Sequence, residues 1–309
     1  MHSTWVLVNP AAGGGRCGRR ARALREGVEA RWPGARWVET TSGADLRARA
    51  LEAASGGAAR VLVLGGDGSA HLAAGALVGT TTALGLVPAG TGNDLAASLG
   101  LPPGLEAALD ALAAGHPRAI DLLRIESLRG TARARLAGCV VGFGMDADAM
   151  DRVDRARVLR RGRLLYALAA LRTVFSYRPP RVRVTVDEQV VHDGPLFFGA
   201  VANTPTYAGG LRVAPRARTD DGLLDLCVVP PLGSRWRQAA SFGAVRRGEH
   251  GALPGVVMAR GRRVVIEGDP IPVTVDGERT DLRAPVAVEV VPGCLRVLAA
   301  APALVLVAA

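Results

Sequence analysis

The chain contains no lysine, and all 38 of its basic residues are arginine. A P-loop lysine and a lysine Schiff base are thereby excluded. Aromatic residues are scarce, at 4%. The aromatic side chains on which bases stack beside basic groups are therefore missing, and nucleic acid is not expected as a partner. Four cysteines, Cys17, Cys139, Cys227 and Cys294, lie far apart without C-x-x-C spacing, which argues against a disulfide framework or a zinc site. No apolar run reaches the ~20 residues that span a bilayer. The C-terminal "VLAAAPALVLVAA" has 13 residues and contains Pro302, so a buried terminal element is expected there. The first strand-like run, "TWVLVN", begins at residue 4 and leaves no room for a leader, so a cytoplasmic location is expected.

What the chain does have sets the rest. Its 309 residues exceed what one hydrophobic core usually supports, so two domains are expected. A 49% hydrophobic content and a mean hydropathy of +0.21 supply ample core. The net charge of +10 points to anionic partners, either nucleotide phosphate or an acidic membrane surface.

Over the first 120 residues short apolar runs alternate with helical patterns. "TWVLVN" (4–9), "ARWVET" (35–40), "RVLVLG" (60–65) and "ALGLVP" (83–88) read as strands. "RRARALREGVEARW", "ADLRARALEAAS" and "AHLAAGALV" between them carry apolar residues at helical spacing. Strict alternation predicts a parallel sheet with helices on both faces, and ligands bind such sheets at the carboxyl ends of the strands. Beyond about residue 122 the pattern changes to strand-like runs: 181–191, 196–203, 223–230, 262–268, 271–278 and 285–293. One helical insert, 161–175, interrupts them. The fold class expected is an N-terminal parallel α/β domain (1–122) joined to a mostly antiparallel β domain (123–293).

Three glycine-bearing segments fall at predicted strand ends: "NPAAGGGR" (9–16), "GGDGS" (65–69) and "PAGTGND" (88–94). Singly each reads as an ordinary turn, and Asn93 or Asp94 as a cap for the helix that follows. Together, at three strand ends of one parallel sheet, they would converge on one crevice. Glycine there lets the backbone approach phosphate oxygens and offer unshielded N–H groups.

With "RTDDGLLD" (218–225) and "VDGE" (275–278), these segments come in the order and spacing that resembles the diacylglycerol kinase catalytic-domain family. That group of lipid kinases also includes the sphingosine and ceramide kinases. The resemblance covers nearly the whole chain and implies a nucleotide domain similar to that of NAD kinases and phosphofructokinases. It further implies a β-rich second domain, ATP in the cleft between the two, and a chain end (294–309) that returns to the first domain. Two departures stand out. The family commonly has Thr after GGDG and Glu three residues beyond, where this chain has Ser69 and Leu72, and Ala12 takes the place of a usual serine.

The resemblance implies ATP and Mg²⁺ as cofactors and a lipid alcohol as acceptor, with diacylglycerol leading and sphingoid or ceramide lipids as alternatives. NAD kinase and a catalytically inactive lipid-binding module are the other readings. Asn9, Pro10, Ala11, Ala12 and Gly13, then Gly65, Gly66, Asp67, Gly68 and Ser69, then Gly90, Thr91, Asn93 and Asp94, are the expected nucleotide contacts. Thr41 joins them by resemblance, with Thr40 equal on spacing. Amides of residues 9–13 and 66–72 are the expected phosphate cradle, and Asp67 would hold Mg²⁺ against phosphate. Glu278 is the expected general base, with Asp276 as fallback. A structural Mg²⁺ maps onto the Asp221 side chain and the Arg218 and Leu223 carbonyls, with Asp220 and Asp225 nearby. "DRVDRARVLRRGR" (151–163) with the helical insert would form a basic patch for peripheral contact with an anionic membrane. Homodimerisation stays open.

Overall fold

The computed structural model describes residues 3–130, 133–148, 150 and 176–300. The expected basic patch and helical insert (151–175) and the chain beyond residue 300 lie outside the described residues. These divide into two compact units, one formed by the chain up to Ile120 with the stretch from Gly293, the other by Asp121–Pro292.

In the first unit, β1 (Thr4–Val8), β3 (Arg60–Gly65) and β4 (Ala83–Pro88) are almost wholly buried apolar runs, as strands covered on both faces must be. β2 (Arg36–Glu39) is the half-exposed edge, its Arg36 guanidinium 3.8 Å over the Trp5 ring. The four pair in parallel in the order β2-β1-β3-β4. Leaving β1 the chain moves outward to β2, then crosses back to β3 and β4. With right-handed crossovers this puts the helices before and after β2 on opposite faces. Packing agrees: α2 (Ala21–Arg31) sits against α6 (Leu105–Ala114), and α3 (Gly43–Ser55) against α4 (Asp67–Leu77). The reversal makes the carboxyl ends of β1 and β3 the switch point where an α/β sheet takes its ligand. The end of β16 (Val286–Ala299) runs parallel to β4 through Val297 and Leu84, and Val297–Ala299 is buried.

The second unit is antiparallel. One sheet runs β12 (Val257–Gly261), β11 (Leu224–Val229), β10 (Phe198–Ala202), β7 (Val140–Gly144), β14 (Pro272–Val275), β15 (Glu278–Arg283). In the other, β13 (Arg263–Gly268) lies between the start of β16 and β8 (Arg181–Val186), with β9 (Gln189–Pro195) beyond β8. β5 (His116–Ser127) pairs with β6 (Arg135–Ala137). Inward residues of both sheets, Phe143, Leu226, Val184 and Val264 among them, form one core.

Three expectations are corrected. The run 181–191 is a hairpin rather than one strand: Asp187 and Glu188 take positive φ (44° and 72°) and turn the chain. Residues 271–278 likewise break at Asp276 and Gly277 (φ 49° and 78°) into β14 and β15. A helix, Arg235–Arg247, takes a stretch that periodicity left without structure.

Candidate active site

The loop after β1 opens on Asn9, whose side chain reaches two ways. Its Nδ2 donates to Ser69 Oγ at 3.0 Å, tying this loop to the one after β3, and its Oδ1 accepts the Ala11 amide at 3.1 Å. Beyond it Gly13, Gly14 and Gly15 hold φ of 62°, 68° and 80° in succession. That left-handed run is open only to glycine without strain. A Cβ on Gly13 would also collide with the Ala89 carbonyl of the loop after β4.

The loop after β3 enters α4 with Gly66 as N-cap and Asp67 as first helical residue. The first-turn amides of an α-helix point out of its end, and the positive dipole end there favours an anion. The Asp67 carboxylate spans to the loop after β4: Oδ2 accepts the Asn93 amide at 2.6 Å and Oδ1 the Asp94 amide at 2.8 Å. Asn93 is left-handed (φ 60°, ψ 38°), and its side chain closes its own loop on the Gly90 amide and carbonyl at 2.9 and 3.1 Å. Gly66 and Gly90 are in backbone contact, and a Cβ on Gly90 would sit 2.6 Å from the Gly66 Cα. One on Gly92 would sit 2.5 Å from Asp67 Oδ2. The three glycine segments therefore do converge within one unit, held together by Asn9 and Asp67.

The expected cradle needs correction in detail. α4 starts at Asp67, so the Ala70 amide bonds the Gly66 carbonyl and the amides from residue 70 onward serve the helix. The Ala12 amide likewise bonds Asn9 O, and Pro10 has no N–H to offer. Thr91 is exposed, Asp94 buried. Thr40 and Thr41 are now distinguished. Thr40 is buried with its hydroxyl on Val8 O at 2.9 Å, whereas Thr41 is exposed, its amide and hydroxyl on Asp45. The Thr41 amide, above all, holds the Asp45 carboxyl below its usual range. Leu72 fills the space beside Gly43, where a Cβ would come within 2.8 Å of it.

In the second unit, Glu278 is exposed at the start of β15, directly after the Asp276-Gly277 turn. Asp276, its fallback, is engaged elsewhere: it accepts the amides of Gly138, Cys139 and Val140 at 2.8, 2.7 and 3.0 Å. In the loop before β11 the Asp221 carboxylate pairs with Arg260 and accepts the Leu223 amide at 3.1 Å. Arg260 also reaches Asp225 at 3.2 Å, and burial pushes the Asp225 carboxyl upward against that pull. Arg218, expected to offer its carbonyl, ion-pairs through its side chain with Asp220. Among the described residues no group of three or more His, Cys, Asp or Glu side chains is placed to hold a metal. A cation at Asp221 would draw instead on carbonyl oxygens, and this all-oxygen donor set suits a hard ion.

Sequence reasoning missed Asp121, Asn203 and Asp146. Asp121 is buried and braces the 218–223 loop, accepting the Gly222 amide at 2.7 Å while its own amide bonds Thr219 O. A carboxylate inside the apolar run "AIDLLRI" was the available signal. Asn203 Nδ2 holds Asp121 O and Gly138 O at 2.8 and 3.0 Å. Asp146 is enclosed, with Tyr207 OH donating to Oδ2 at 3.0 Å, and burial raises its carboxyl to about 6.

A parallel α/β unit with three glycine loops meeting at its switch point, joined in sequence to an antiparallel β unit, is an NAD kinase-like architecture. The comparisons define it further. Residues 3–125 match the diacylglycerol kinase catalytic domain, and 139–299 the YegS C-terminal NAD kinase beta sandwich-like domain. A diacylglycerol kinase of Mycobacterium tuberculosis is 36% identical over 305 residues, covering 95% of this chain and 94% of that one. A crystal structure of a diacylglycerol kinase from Bacillus anthracis str. Sterne superposes with a TM-score of 0.74 at 21% identity, covering 98% of each chain. Yeast NADH kinase follows at 0.54 and 10%, covering 97% of this chain and 84% of its own. The chain belongs to the diacylglycerol kinase family and is an ATP-using lipid kinase.

Proposed function

We propose that this protein transfers the γ-phosphoryl group of ATP to the free hydroxyl of diacylglycerol, giving phosphatidic acid. The observation that carries the reading is the convergence of three glycine loops on one switch point, tied by Asn9 to Ser69 and by Asp67 to Asn93 and Asp94. Small residues and helix-start amides at that point suit a polyphosphate. The segments 9–13, 65–69 and 90–94 line the nucleotide in this proposal. The contact with Thr41 is assigned over Thr40, whose hydroxyl already serves β1.

Phosphoryl transfer to an alcohol asks for little covalent chemistry from the protein and much positioning. Asp67 ties its own loop to the one after β4 through both carboxylate oxygens, and a carboxylate at that junction, beside helix-start amides, is the residue assigned to a cation. Mg²⁺, when bound, neutralises phosphate charge. Glu278 is assigned as acceptor of the lipid hydroxyl proton. It is exposed, and Asp276 before it is committed to three amides, so the turn is rigid and the glutamate is the available carboxylate. Asp221 with the Arg218 and Leu223 carbonyls is assigned to a second Mg²⁺, for which Arg260 is a competing cation.

The test is label transfer from γ-labelled ATP to a panel of diacylglycerol, sphingosine, ceramide and NAD. Labelled phosphatidic acid as the main product supports the proposal. Label chiefly in NAD or in a sphingoid lipid would replace it.

A further inference from the structure

Within the second unit, Tyr207 is locked at both ends. Its amide donates to Leu211 O at 2.9 Å and its carbonyl accepts the Leu211 amide at 2.8 Å, closing a hairpin over Ala208, Gly209 and Gly210 (φ 52°, 81° and 109°). Its hydroxyl donates to Asp146 Oδ2 at 3.0 Å. The buried ring between these anchors lies along the Asp276-Gly277 turn: a Cβ on Gly277 would stand 3.8 Å from ring carbon Cε2 and 3.9 Å from the hydroxyl oxygen, ordinary contact distances. Glu278 is the next residue.

The anchor itself is the second observation. Asp146 lies two residues past β7, with its carboxylate over the bare backbone of Gly142, where a Cβ would come within 3.0 Å of Oδ2 and 3.2 Å of Oδ1. The same Cβ would come within 2.6 Å of Thr274 Oγ1, and Thr274, opposite Gly142 in the ladder, belongs to β14, the strand that runs into the turn. Burial outweighs the pull of the Tyr207 hydroxyl and the Ala147 amide and raises the Asp146 carboxyl to about 6. Its charge therefore costs stability at neutral pH, where an uncharged side chain of the same size would not. A carboxylate that costs stability beside the turn carrying the assigned base points to function rather than packing.

We propose that Tyr207, tethered by Asp146, is a positioning residue that fixes Gly277 and with it the direction in which Glu278 leaves the turn. Asp276 already binds the turn to the amides of Gly138, Cys139 and Val140, which holds the residue two before Glu278. Gly277 between them, at φ 78°, has no side chain to hold it, and the Tyr207 ring supplies the surface it lacks. An exposed glutamate on a loose turn would point many ways, and misplacing a reacting group by about 1 Å can cost on the order of 10²-fold in rate. A tyrosine that served the core alone would need its ring but no tethered hydroxyl. The inference rests on the assignment of Glu278 as proton acceptor.

The test measures kcat and KM for diacylglycerol phosphorylation by the full chain carrying Tyr207→Phe, Asp146→Asn or Asp146→Leu, and by Tyr207→Phe combined with Glu278→Gln. Phenylalanine keeps the ring and cuts the tether. Asparagine keeps an oxygen for the Tyr207 hydroxyl, whereas leucine offers none. Tyr207→Phe and Asp146→Leu should each lower kcat about tenfold with KM for ATP unchanged, and Asp146→Asn should stay within about threefold of the wild type. On the Glu278→Gln background Tyr207→Phe should change nothing further, because no base is left to position. If Asp146→Leu does not fold, Tyr207→Phe decides alone. A Tyr207→Phe protein with wild-type kcat would overturn the proposal, and so would a loss as large on the Glu278→Gln background as on the wild type. A Glu278→Gln protein that runs at the wild-type rate would instead remove the proton acceptor, and the positioning role with it.

Discussion

Asp67 braces two loops, and under the proposed function it is also a cation ligand. Its carboxylate accepts two amides from the loop after β4, a job asparagine can do on only one side, because its NH₂ would face an N–H. Asp67→Asn should therefore lower stability by about 1–3 kcal/mol, the cost of an amide left without its acceptor. It should also lower kcat/KM by on the order of 10²-fold. Calorimetry and phosphorylation rates measure the two separately, and a stable variant with normal turnover would remove Asp67 from the site. Asp146 carries a different expectation. Burial raises its carboxyl from 3.8 to about 6, so the folded state holds a proton that the unfolded chain releases. Its contribution favours folding below about pH 4 and is lost as pH climbs through about 6. Asp146→Asn should raise the melting temperature at pH 7 to 8 and change it little near pH 4. A gain of equal size at both pH values would mean that packing, not titration, sets the effect.

At the scale of elements, the turn between β14 and β15 depends on the Asp276 carboxylate, and the loop before β11 on those of Asp121 and Asp221. Asp276 caps three successive amides at the start of β7, so Asp276→Ala should cost about 3 kcal/mol or more. Denaturant unfolding measures it, and a loss under 1 kcal/mol would show that water replaces the carboxylate. In the other loop Arg260 pairs with Asp221, and the proposed cation would have to compete with it. Mg²⁺ should raise the wild-type melting temperature, Asp221→Ala should abolish that rise, and Arg260→Gln should enlarge it. A Mg²⁺ response untouched by Asp221→Ala would place the ion elsewhere. These loops also mark where the sequence stops being legible. β1, β3 and β4 declare themselves as unbroken apolar runs because they are covered on both faces, and their glycine loops follow from strand ends. The hairpin at 187–188 does not, since Asp-Glu gives no glycine signal; the Asp-Gly turn at 276–277 is legible as a turn, and what stays hidden is that the chain continues beyond it as β15. The helix Arg235–Arg247 hides because its buried side mixes Gln238 and Ser241 with Ala244 and Val245 while Trp236 and Phe242 face outward, so no apolar stripe marks it. The roles of Asp121 and Asn203 emerge only when the chain brings 121, 138 and 219–222 together. Glu278 could be named only through resemblance, as a glutamate after a turn is otherwise ordinary surface.

For the whole molecule, the central proposal is that an arginine-only, strongly basic chain of this family phosphorylates a lipid hydroxyl using Glu278 as proton acceptor. Family membership assigns the class of reaction, and the converging loops of the first unit support the proposed phosphate site; neither fixes the base. The direct measurement is transfer of label from γ-labelled ATP to diacylglycerol by the wild type and by Glu278→Gln, with ATP affinity and melting temperature measured in parallel. Glutamine keeps the size and removes the basicity of an exposed side chain, so the fold and ATP binding should be unchanged. The account predicts labelled phosphatidic acid from the wild type and a kcat lower by roughly 10²- to 10⁴-fold in the variant. A variant that binds ATP normally and labels diacylglycerol at the wild-type rate would contradict it.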